Sequence, residues 1–480
     1  MDGVTRRLAL GAGASLAFLS PDAHGEPSEQ ALVRRIQAHC ERLSREHEFS
    51  GAVMLVRNNR PLVEKTYGLR NRADKLAVRL DTKFNVASIG KLFTSLAIMR
   101  FAAAGAIRLD APLLDAWPDY PHRSVAERIT IAQLLTHTAG LGNNVLFKPK
   151  TGLNGTSTHQ DYLRLFLDDG VTGEPGAEAA YSNDGYVLLG ALIEKLSGLD
   201  FREHCRRTIF DPLGMTSTGF SAPDDIVPNL AIPYVRDLYR PGVWRSALGA
   251  DAMPGGAFGG GYSTVADLCR FGRGMLANQL LTPEWSKTWT QGRVAFRGEQ
   301  YGFGVQVGSI NGHQIIGHTG GHFGVAGELL IAPDLGYVFA VLSNGEVEPY
   351  WDLDTFVRSE IAGDHEAART SSFTRELIEV VIAKGVEAGV AFVAQQDRTP
   401  REGVIDVYAF RVWHRGDANG AENLLLFNQQ RFPDSLSALW SLAEFYRYAR
   451  RNADAIAAYQ AYLQREPDDA DALGYIAQLS

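Results

Sequence analysis

A serine and a lysine three residues apart could form a nucleophile and its base. Ser88 and Lys91 belong to the run Ser88-Ile89-Gly90-Lys91, which opens an apolar stretch with helical spacing. Residues three apart on an α-helix lie on one face, so a desolvated lysine could take the proton of the serine hydroxyl. The N–H groups at the helix start would suit an oxyanion on an attacked acyl group. The pattern alone is common, because a serine near a helix start is more often an N-cap.

Two further clusters would complete an acyl-transfer site. Tyr181-Ser182-Asn183 opens a predicted helix after a Glu-Pro-Gly turn, and its tyrosine could carry a proton. His318-Thr319-Gly320-Gly321 follows a β-branched pair that predicts a strand, and its two glycines would let a substrate backbone approach closely. Together they favour a nucleophile at Ser88 over an N-cap.

The elements that must position these clusters change in type along the chain. Strands at both ends of a domain, with helices between them, predict an α/β sandwich in which the first and last strands share one sheet. The predicted strands are residues 49–56, 61–67, 301–307, 313–317, 327–331 and 337–343, and predicted helices begin near Ser88 and cover residues 131–135, 161–167, 186–196 and 266–276.

The three clusters resemble the S-x-x-K, Y-x-N and K/H-T-G motifs of the serine β-lactamase and penicillin-binding superfamily. The similarity is to its class C, D-Ala-D-Ala carboxypeptidase, D-aminopeptidase and family VIII esterase branch. It extends into the connecting segments 129–141, 175–190 and 255–272, and covers residues 30 to 350. The resemblance implies the fold of that superfamily, an antiparallel sheet flanked by helices together with an all-helical part.

The resemblance also implies roles for the clustered residues. Ser88 would be the nucleophile that forms an acyl-enzyme, Lys91 the base for acylation, and Tyr181 the proton shuttle to the leaving group and from water. The oxyanion hole would be the N–H groups of Ser88 and Gly321. The chemistry requires no metal or cofactor. The residues expected to contact the substrate are Asn183, His318, Thr319, Gly320 and Gly321.

Two departures from the commonest motif bear on the substrate. His318 stands where β-lactamases mostly carry lysine, and a histidine that is only partly cationic would grip a carboxylate less firmly. This argues against efficient β-lactam hydrolysis and, by resemblance, favours D-amino-acid peptides or esters. His322 stands where many relatives carry a hydroxyl residue, and it would either line the pocket or lie in a loop.

Two other segments imitate functional motifs. His137-Thr138-Ala139-Gly140 resembles the third cluster, but it follows a helical run and is predicted to be a turn at a helix end. The glycine-rich segment Gly255–Gly261 lacks a phosphate-binding pattern and is predicted to be a flexible or packing loop.

Composition restricts the class of protein. The 480 residues carry a net charge of -8 without a basic run, which argues against nucleic acid as a partner. Cys40, Cys205 and Cys269 lie far apart in sequence, so neither a zinc site nor a disulfide framework is predicted.

Residues 1–25 have the pattern of a signal peptide. Arg6 and Arg7 precede the apolar run Leu8–Leu19, which is too short for a membrane-spanning anchor. The arginine pair resembles a twin-arginine signal, and an ordinary Sec signal is the alternative. A mitochondrial presequence fits less well, since the segment lacks an amphipathic helical pattern. We therefore expect export, to the periplasm or another extracytoplasmic space of a bacterium.

The end of the chain repeats itself. Pro433 and Pro467 lie 34 residues apart (467 − 433), and several alanines and leucines recur at the same interval. This period is typical of tetratricopeptide repeats. We divide the chain into a hydrolase domain at 30–364, a helical linker or degenerate repeat at 365–401, and tetratricopeptide-like repeats at 402–480. The repeats would either bind a protein partner or only brace the enzyme.

The sequence therefore predicts an exported active-site serine hydrolase. Its substrate would be a small molecule or short peptide with an ester or amide bond, of the D-amino-acid or β-lactam-like class. The alternative is a penicillin-binding or sensor protein that is acylated at Ser88 without efficient turnover, and whose repeats recruit a partner.

Overall fold

The computed structural model describes residues 29–47, 49–148, 157–221, 225–248, 255–345 and 348–480. The predicted signal segment 1–25 lies outside them. The strands of the described residues are β1 (Gly51–Arg57), β2 (Arg60–Tyr67), β3 (Leu69–Asn71), β4 (Leu76–Ala77), β5 (Phe84–Asn85), β6 (Tyr234–Arg236), β7 (Trp244–Ser246), β8 (Tyr262–Ser263), β9 (Val294–Phe296), β10 (Glu299–Tyr301), β11 (Gln306–Ile310), β12 (His313–His322), β13 (Val325–Ala332) and β14 (Tyr337–Ser343).

The same residues form helices along the whole chain. These are α1 (Glu29–His47), α2 (Lys91–Ala103), α3 (Leu113–Ala116), α4 (Arg123–Ala126), α5 (Ile131–Leu135), α6 (Asn144–Phe147), α7 (His159–Leu163), α8 (Asn183–Ser197), α9 (Phe201–Cys205), α10 (Asp211–Leu213), α11 (Val265–Leu276), α12 (Pro283–Thr290), α13 (Glu348–Ile361), α14 (His365–Lys384), α15 (Val386–Ala394), α16 (Glu402–His414), α17 (Ala418–Arg431), α18 (Leu436–Tyr448), α19 (Asn452–Leu463) and α20 (Ala470–Leu479).

An antiparallel sheet of eight strands forms the centre of the described residues before position 346, in the order β2-β1-β14-β13-β12-β11-β10-β9. The first strand therefore lies beside the last, and Gly51 pairs with Ser343. The hairpin between β1 and β2 turns at Asn58 and Asn59, whose φ angles of 47° and 67° are those that asparagine tolerates in tight hairpin turns. The predicted α/β sandwich with first and last strands in one sheet is confirmed.

Alternate side chains of β1 point to opposite faces of the sheet and pack into two different cores. Met54 and Val56 face a core formed with α2, α8 and α11, whereas Val53 and Leu55 face a second core beneath α1 and α13. Both faces of the sheet are thus covered by helices, which is why the run at 51–56 is apolar at every position rather than alternating.

Three predicted elements differ from the structure. The helix predicted at 161–167 is shorter, since α7 ends at Leu163. The predicted strand at 301–307 is broken, because β10 ends at Tyr301 and β11 begins at Gln306. Gly304 turns between them with a φ of 76°, and a Cβ there would lie 2.4 Å from the Cβ of Ser95 on α2. The chain turns at this point to pack closely on α2. The helix predicted from Ser88 begins instead as a 3₁₀ turn over Ala87–Gly90.

Among the residues that the structure describes after β14, all regular elements are helices. The starts of α16, α18 and α20 recur at the interval of the sequence repeat, and so do those of α17 and α19. These helices share an apolar core of their own that includes Leu424, Leu442 and Tyr459. Trp413 Nε1 donates to the Leu238 carbonyl at 2.8 Å, so α16 is tied to the hydrolase part. Among the described residues, no helix is both long and apolar enough to cross a bilayer.

Candidate active site

Ser88 lies on a strained turn at the base of α2. Ala87, just before it, has a φ of 42°, a conformation that costs a non-glycine residue about 1–3 kcal/mol and is typical of functional turns. Gly259 packs against this turn, and a Cβ on it would lie 2.6 Å from the Ala87 carbonyl oxygen and 3.2 Å from the Ser88 nitrogen. The Ser88 side chain is half-buried. Tight backbone packing thus holds a serine that substrate can reach.

Lys91 is fully buried one turn above the serine. Its Nζ atom lies 3.2 Å from Ser88 Oγ and 2.8 Å from Asn183 Oδ1, and it also contacts the Phe258 carbonyl oxygen. Burial lowers the pKa of Lys91 well below its ordinary value of 10.5. The amine is therefore disposed to be neutral in the folded protein.

The Phe258 carbonyl is a site group that sequence reasoning missed. It belongs to the glycine-rich segment, in which Ala257 accepts from the Thr94 hydroxyl at 2.7 Å and donates its N–H to His159 Nε2 at 2.8 Å. The segment is a packing loop beneath α2, and its backbone completes the surroundings of Lys91. In the sequence, the glycine cluster was the signal that this segment packs closely, but it did not indicate that the Phe258 carbonyl would contact Lys91.

Tyr181 and Asn183 enter the site at the start of α8. The Ser182 hydroxyl caps this helix by accepting from the Gly185 N–H at 3.0 Å. Asn143 holds the residues before and after Ser182. Its Oδ1 accepts hydrogen bonds from the backbone N–H and the side-chain Nδ2 of Asn183, both at 2.8 Å. Its Nδ2 donates to the Tyr181 carbonyl at 2.8 Å. The amide of Asn183 is thereby oriented with its oxygen towards Lys91.

The Tyr181 side chain lies beside Ser88, and its ring centre lies 4.7 Å from Lys91 Nζ. Burial raises the pKa of Tyr181 above its ordinary value of 10, and the neighbouring Ser88 side chain opposes this less strongly. The tyrosine is therefore a neutral phenol at physiological pH. It can relay a proton but is not itself the base.

Strand β12 carries the third motif and places Gly320 close to the backbone of Ser88. Strand β11 pairs with β12 only as far as Gly317, so in the described structure residues 318–322 have a strand neighbour on the β13 side alone. A Cβ on Gly320 would lie 2.4 Å from the Val86 carbonyl oxygen and 3.2 Å from the Ser88 nitrogen. Glycine is therefore required for this close approach. Thr319 is half-buried and Gly321 exposed beside it.

His318 is buried, although its motif predicted a contact with the substrate. The residue is 2% exposed. Nε2 lies 2.8 Å from the Tyr301 hydroxyl and Nδ1 lies 2.5 Å from the Thr319 carbonyl oxygen, so both ring nitrogens are engaged by the protein. Burial lowers its pKa to about 3, and Lys91 adds to this. The partly cationic histidine expected at this position is a neutral, internal one.

His137 belongs to the site, although its sequence context predicted only a turn. It does lie in a turn after α5, with a φ of 60°, but its ring is buried and lies 4.3 Å from the Tyr181 ring. Its Nδ1 accepts from the Ser182 N–H at 3.1 Å and its Nε2 lies 3.2 Å from the Tyr301 hydroxyl. The turn therefore places the His137 imidazole against the Tyr181 ring.

The family is identified by comparison with known proteins. A family model described as Beta-lactamase matches residues 31–362, which is most of the chain. The chain belongs to the beta-lactamase family. As a member it is a serine hydrolase, and the fold described above is that of the family.

Individual known proteins resemble about two thirds of the chain. Penicillin-binding protein 4 of Amycolatopsis lactamdurans is 27% identical over 351 residues, covering 68% of this chain and 90% of its own. A crystal structure of a penicillin-binding protein from Bacillus halodurans is 26% identical with a TM-score of 0.59, covering 69% of this chain and 99% of its own. The D-amino acid amidase of Ochrobactrum anthropi SV3 shares the fold, with a TM-score of 0.55 at 22% identity. The similarity covers 71% of this chain and 99% of the amidase.

The described residues contain no group of three or more histidine, cysteine, aspartate or glutamate side chains placed to hold a metal ion. Cys40, Cys205 and Cys269 are free and buried. They lie apart from the site and serve as small core residues.

Proposed function

We propose that this protein is an exported hydrolase that cleaves esters or amides through an acyl-enzyme on Ser88. The observation that carries the proposal is the surroundings of Lys91. A neutral amine has two hydrogens and one lone pair. The Asn183 and Phe258 oxygens can only accept, so they take the two hydrogens and leave the lone pair for the Ser88 hydroxyl. Lys91 is thus arranged as a base.

In the first step the Ser88 proton moves to Lys91 while Oγ bonds to the acyl carbon. The negative charge that develops on the acyl oxygen would be stabilised by the N–H groups of Ser88 and Gly321. The leaving oxygen or nitrogen then departs with a proton relayed from Lys91 through the Tyr181 hydroxyl. In the second step water attacks the acyl carbon, and its proton returns along the same route to Ser88 Oγ.

The substrate class follows from the motifs and from the relatives. The H-T-G form of the third motif supports D-amino-acid peptides or esters, and the name of the Amycolatopsis relative supports acylation by β-lactams. The leader pattern at 1–25 supports export to the periplasm or a similar compartment.

Intact-protein mass spectrometry tests this function directly. The mature protein is incubated with a fluorescent penicillin and, separately, with p-nitrophenyl butyrate. We expect a mass increment equal to the acyl group, absent in Ser88→Ala, and a decay of that increment that matches ester turnover. Turnover by Ser88→Ala at the wild-type rate would show that another nucleophile acts.

A second function is favoured by one observation, the helical repeats beyond residue 402. If the acyl group on Ser88 persists for hours, the protein is a penicillin-binding sensor whose repeats carry the output to a protein partner. In that case, a chain truncated after Asp364 should be acylated normally and lose its interactors. A truncated chain that keeps every interactor would leave the repeats as a brace.

A further inference from the structure

A cavity of about 370 Å³ lies between α1, α14 and α16, where the hydrolase part meets the helices that follow it. This volume is within the range of small-molecule sites, which is roughly 300–1,000 Å³. The cavity is lined by four arginines from three helices, namely Arg42 on α1, Arg375 on α14, Arg411 on α16 and Arg415 at the end of α16. The active-site residues described above do not line it. We call it the arginine cavity.

The lining of the arginine cavity carries a surplus of two positive charges. Its four arginines are accompanied by two carboxylates, Glu376 and Glu379 (4 − 2 = 2). Both glutamates are exposed, whereas Arg411 is 2% exposed and Arg42 and Arg375 are half-buried. Salt screens exposed charges much more than buried ones, so positive charge dominates inside the cavity.

Three of the arginines act on one point of the cavity wall, the hydroxyl of Tyr408. Burial raises the pKa of Tyr408 to about 12, and Asp352 adds to the rise. Arg411, Arg375 and Arg42 each act in the opposite direction. The guanidinium carbon of Arg411 lies 4.9 Å from the Tyr408 ring centre. The positive charges of α1, α14 and α16 therefore converge beside Tyr408, which itself lines the cavity.

Arg375 is oriented by the protein and repelled by its neighbour. Its Nη1 donates to Asp352 Oδ1 at 3.2 Å, and its Nη2 donates to Ser372 Oγ at 3.1 Å. Burial lowers the pKa of Arg375, Asp352 opposes this, and Arg42 lowers the pKa further. Because Arg375 and Arg42 repel each other, an anion between them would stabilise both charges.

We propose that the arginine cavity binds a phosphate dianion, either free or as the monoester of a small molecule. A phosphate monoester carries about two negative charges at neutral pH, which equals the surplus in the lining. The planar fork of arginine donates bidentately to phosphate oxygens. Arginines that approach from three helices suit a tetrahedral group with oxygens on several sides better than a planar carboxylate. The bound anion would join α1 of the hydrolase part to α14 and α16.

Isothermal titration calorimetry of the full chain tests the proposal with inorganic phosphate and, separately, with glycerol 3-phosphate at pH 7.5. We expect saturable binding at one site and none of sodium chloride at the same ionic strength. Binding of glycerol 3-phosphate would assign the cavity to phosphate monoesters, and binding of inorganic phosphate alone would assign it to the free anion. No saturable binding of either up to about 10 mM, or equal heats with chloride, would overturn the proposal.

Substitutions of the lining arginines locate the site. Arg411→Met should raise the Kd by roughly tenfold or more, and Arg42→Gln and Arg415→Gln should each raise it by roughly threefold or more. Arg431→Gln, at an exposed arginine on α17 outside the lining, is the matched control and should keep the wild-type Kd. If Arg411→Met does not fold, the other two variants decide. A wild-type Kd in both Arg42→Gln and Arg415→Gln would overturn the proposal.

The proposed anion site is independent of the hydrolase chemistry. Ser88→Ala should bind phosphate with the wild-type Kd, because Ser88 does not line the arginine cavity. A loss of phosphate binding in Ser88→Ala would place the anion at the active site and overturn the proposal, whatever the result of the acylation experiment.

Discussion

At the scale of single residues, burial without a compensating charge is the feature of Lys91 on which its proposed role as a base depends. An exposed lysine is protonated at neutral pH, and Lys91 has neighbours that accept hydrogen bonds but carry no negative charge. The same reasoning separates Lys91 from Tyr181, since burial moves one pKa down and the other up. Burial therefore favours the neutral form of both the Lys91 amine and the Tyr181 phenol, and of these two neutral groups the amine is the stronger base.

We predict that Lys91→Met lowers kcat/KM on esters by on the order of 10² or more, because the general base is lost. In the wild type, activity requires the neutral amine, so kcat/KM should fall as pH falls through the lowered pKa of Lys91 and remain high above it. Steady-state kinetics from pH 5 to 9 measure both effects. Lys287→Met, at an exposed lysine on α12, is the control and should keep the wild-type profile.

The side chains of the candidate site could be predicted from sequence motifs, whereas the backbone groups that contact them could not. Ser88, Lys91 and Asn183 stand in recognisable motifs, and the structure places Lys91 within hydrogen-bonding distance of the other two. The Phe258 carbonyl has no side-chain signature. The buried state of His318 also could not be predicted, because it depends on Tyr301 from a neighbouring strand.

At the scale of elements, the packing loop at 255–261 must fit against the nucleophile turn. Gly259 has a φ of 137°, and a Cβ there would meet the Ala87 carbonyl oxygen. We predict that Gly259→Ala displaces the turn and lowers kcat/KM by about tenfold or more, with the protein still folded. Gly416→Ala, at a positive φ with no atom within 4 Å of the added Cβ, is the matched control for backbone strain. Equal losses in both variants would show that strain, not displacement, is responsible.

The helical part contains a carboxylate that makes its stability depend on pH. Asp406 on α16 accepts from Asn428 at 2.7 Å and from Ser441 at 3.0 Å, and burial raises its pKa from 3.8 to about 6. Because the folded pKa exceeds the unfolded one, this group favours folding below about pH 4, and that contribution is lost as pH rises through 6.

We predict that the free energy of unfolding falls by about 1–3 kcal/mol between pH 4 and 7 through this group. Asp406→Asn cannot ionise and should lose that part of the slope. Thermal unfolding of both proteins across this pH range measures the difference. Identical slopes would show that Asp406 does not titrate in the folded protein.

At the scale of the whole molecule, the described helices beyond residue 402 contact the hydrolase part through aromatic side chains. Trp413 donates to the Leu238 carbonyl, and the Trp244 and His414 rings lie 5.3 Å apart. We predict that Trp413→Phe lowers the free energy of unfolding by about 1 kcal/mol through the lost hydrogen bond and leaves kcat/KM on small esters unchanged. Calorimetry and ester kinetics on the full chain test this. A large change in kcat/KM would show that the repeats influence the site.

The overall architecture was largely evident from the sequence. The order of strands and helices predicted a sheet shared by both ends of the domain, and the 34-residue period anticipated the recurring helix starts beyond residue 402. The break at Gly304 was not predictable, because the run around it is apolar enough for a strand. Only the close contact of that glycine with α2 makes the turn necessary.

The pairing of β1 with both β2 and β14 has a consequence during protein synthesis. The β1–β2 hairpin leaves the ribosome early, but the second edge of β1 has no partner until β14 follows 280 residues later (337 − 57). At about 5–20 residues per second this edge waits roughly a quarter of a minute to a minute. An apolar, unpaired edge is prone to aggregation, so this edge of β1 is an aggregation hazard until translation of the domain is complete.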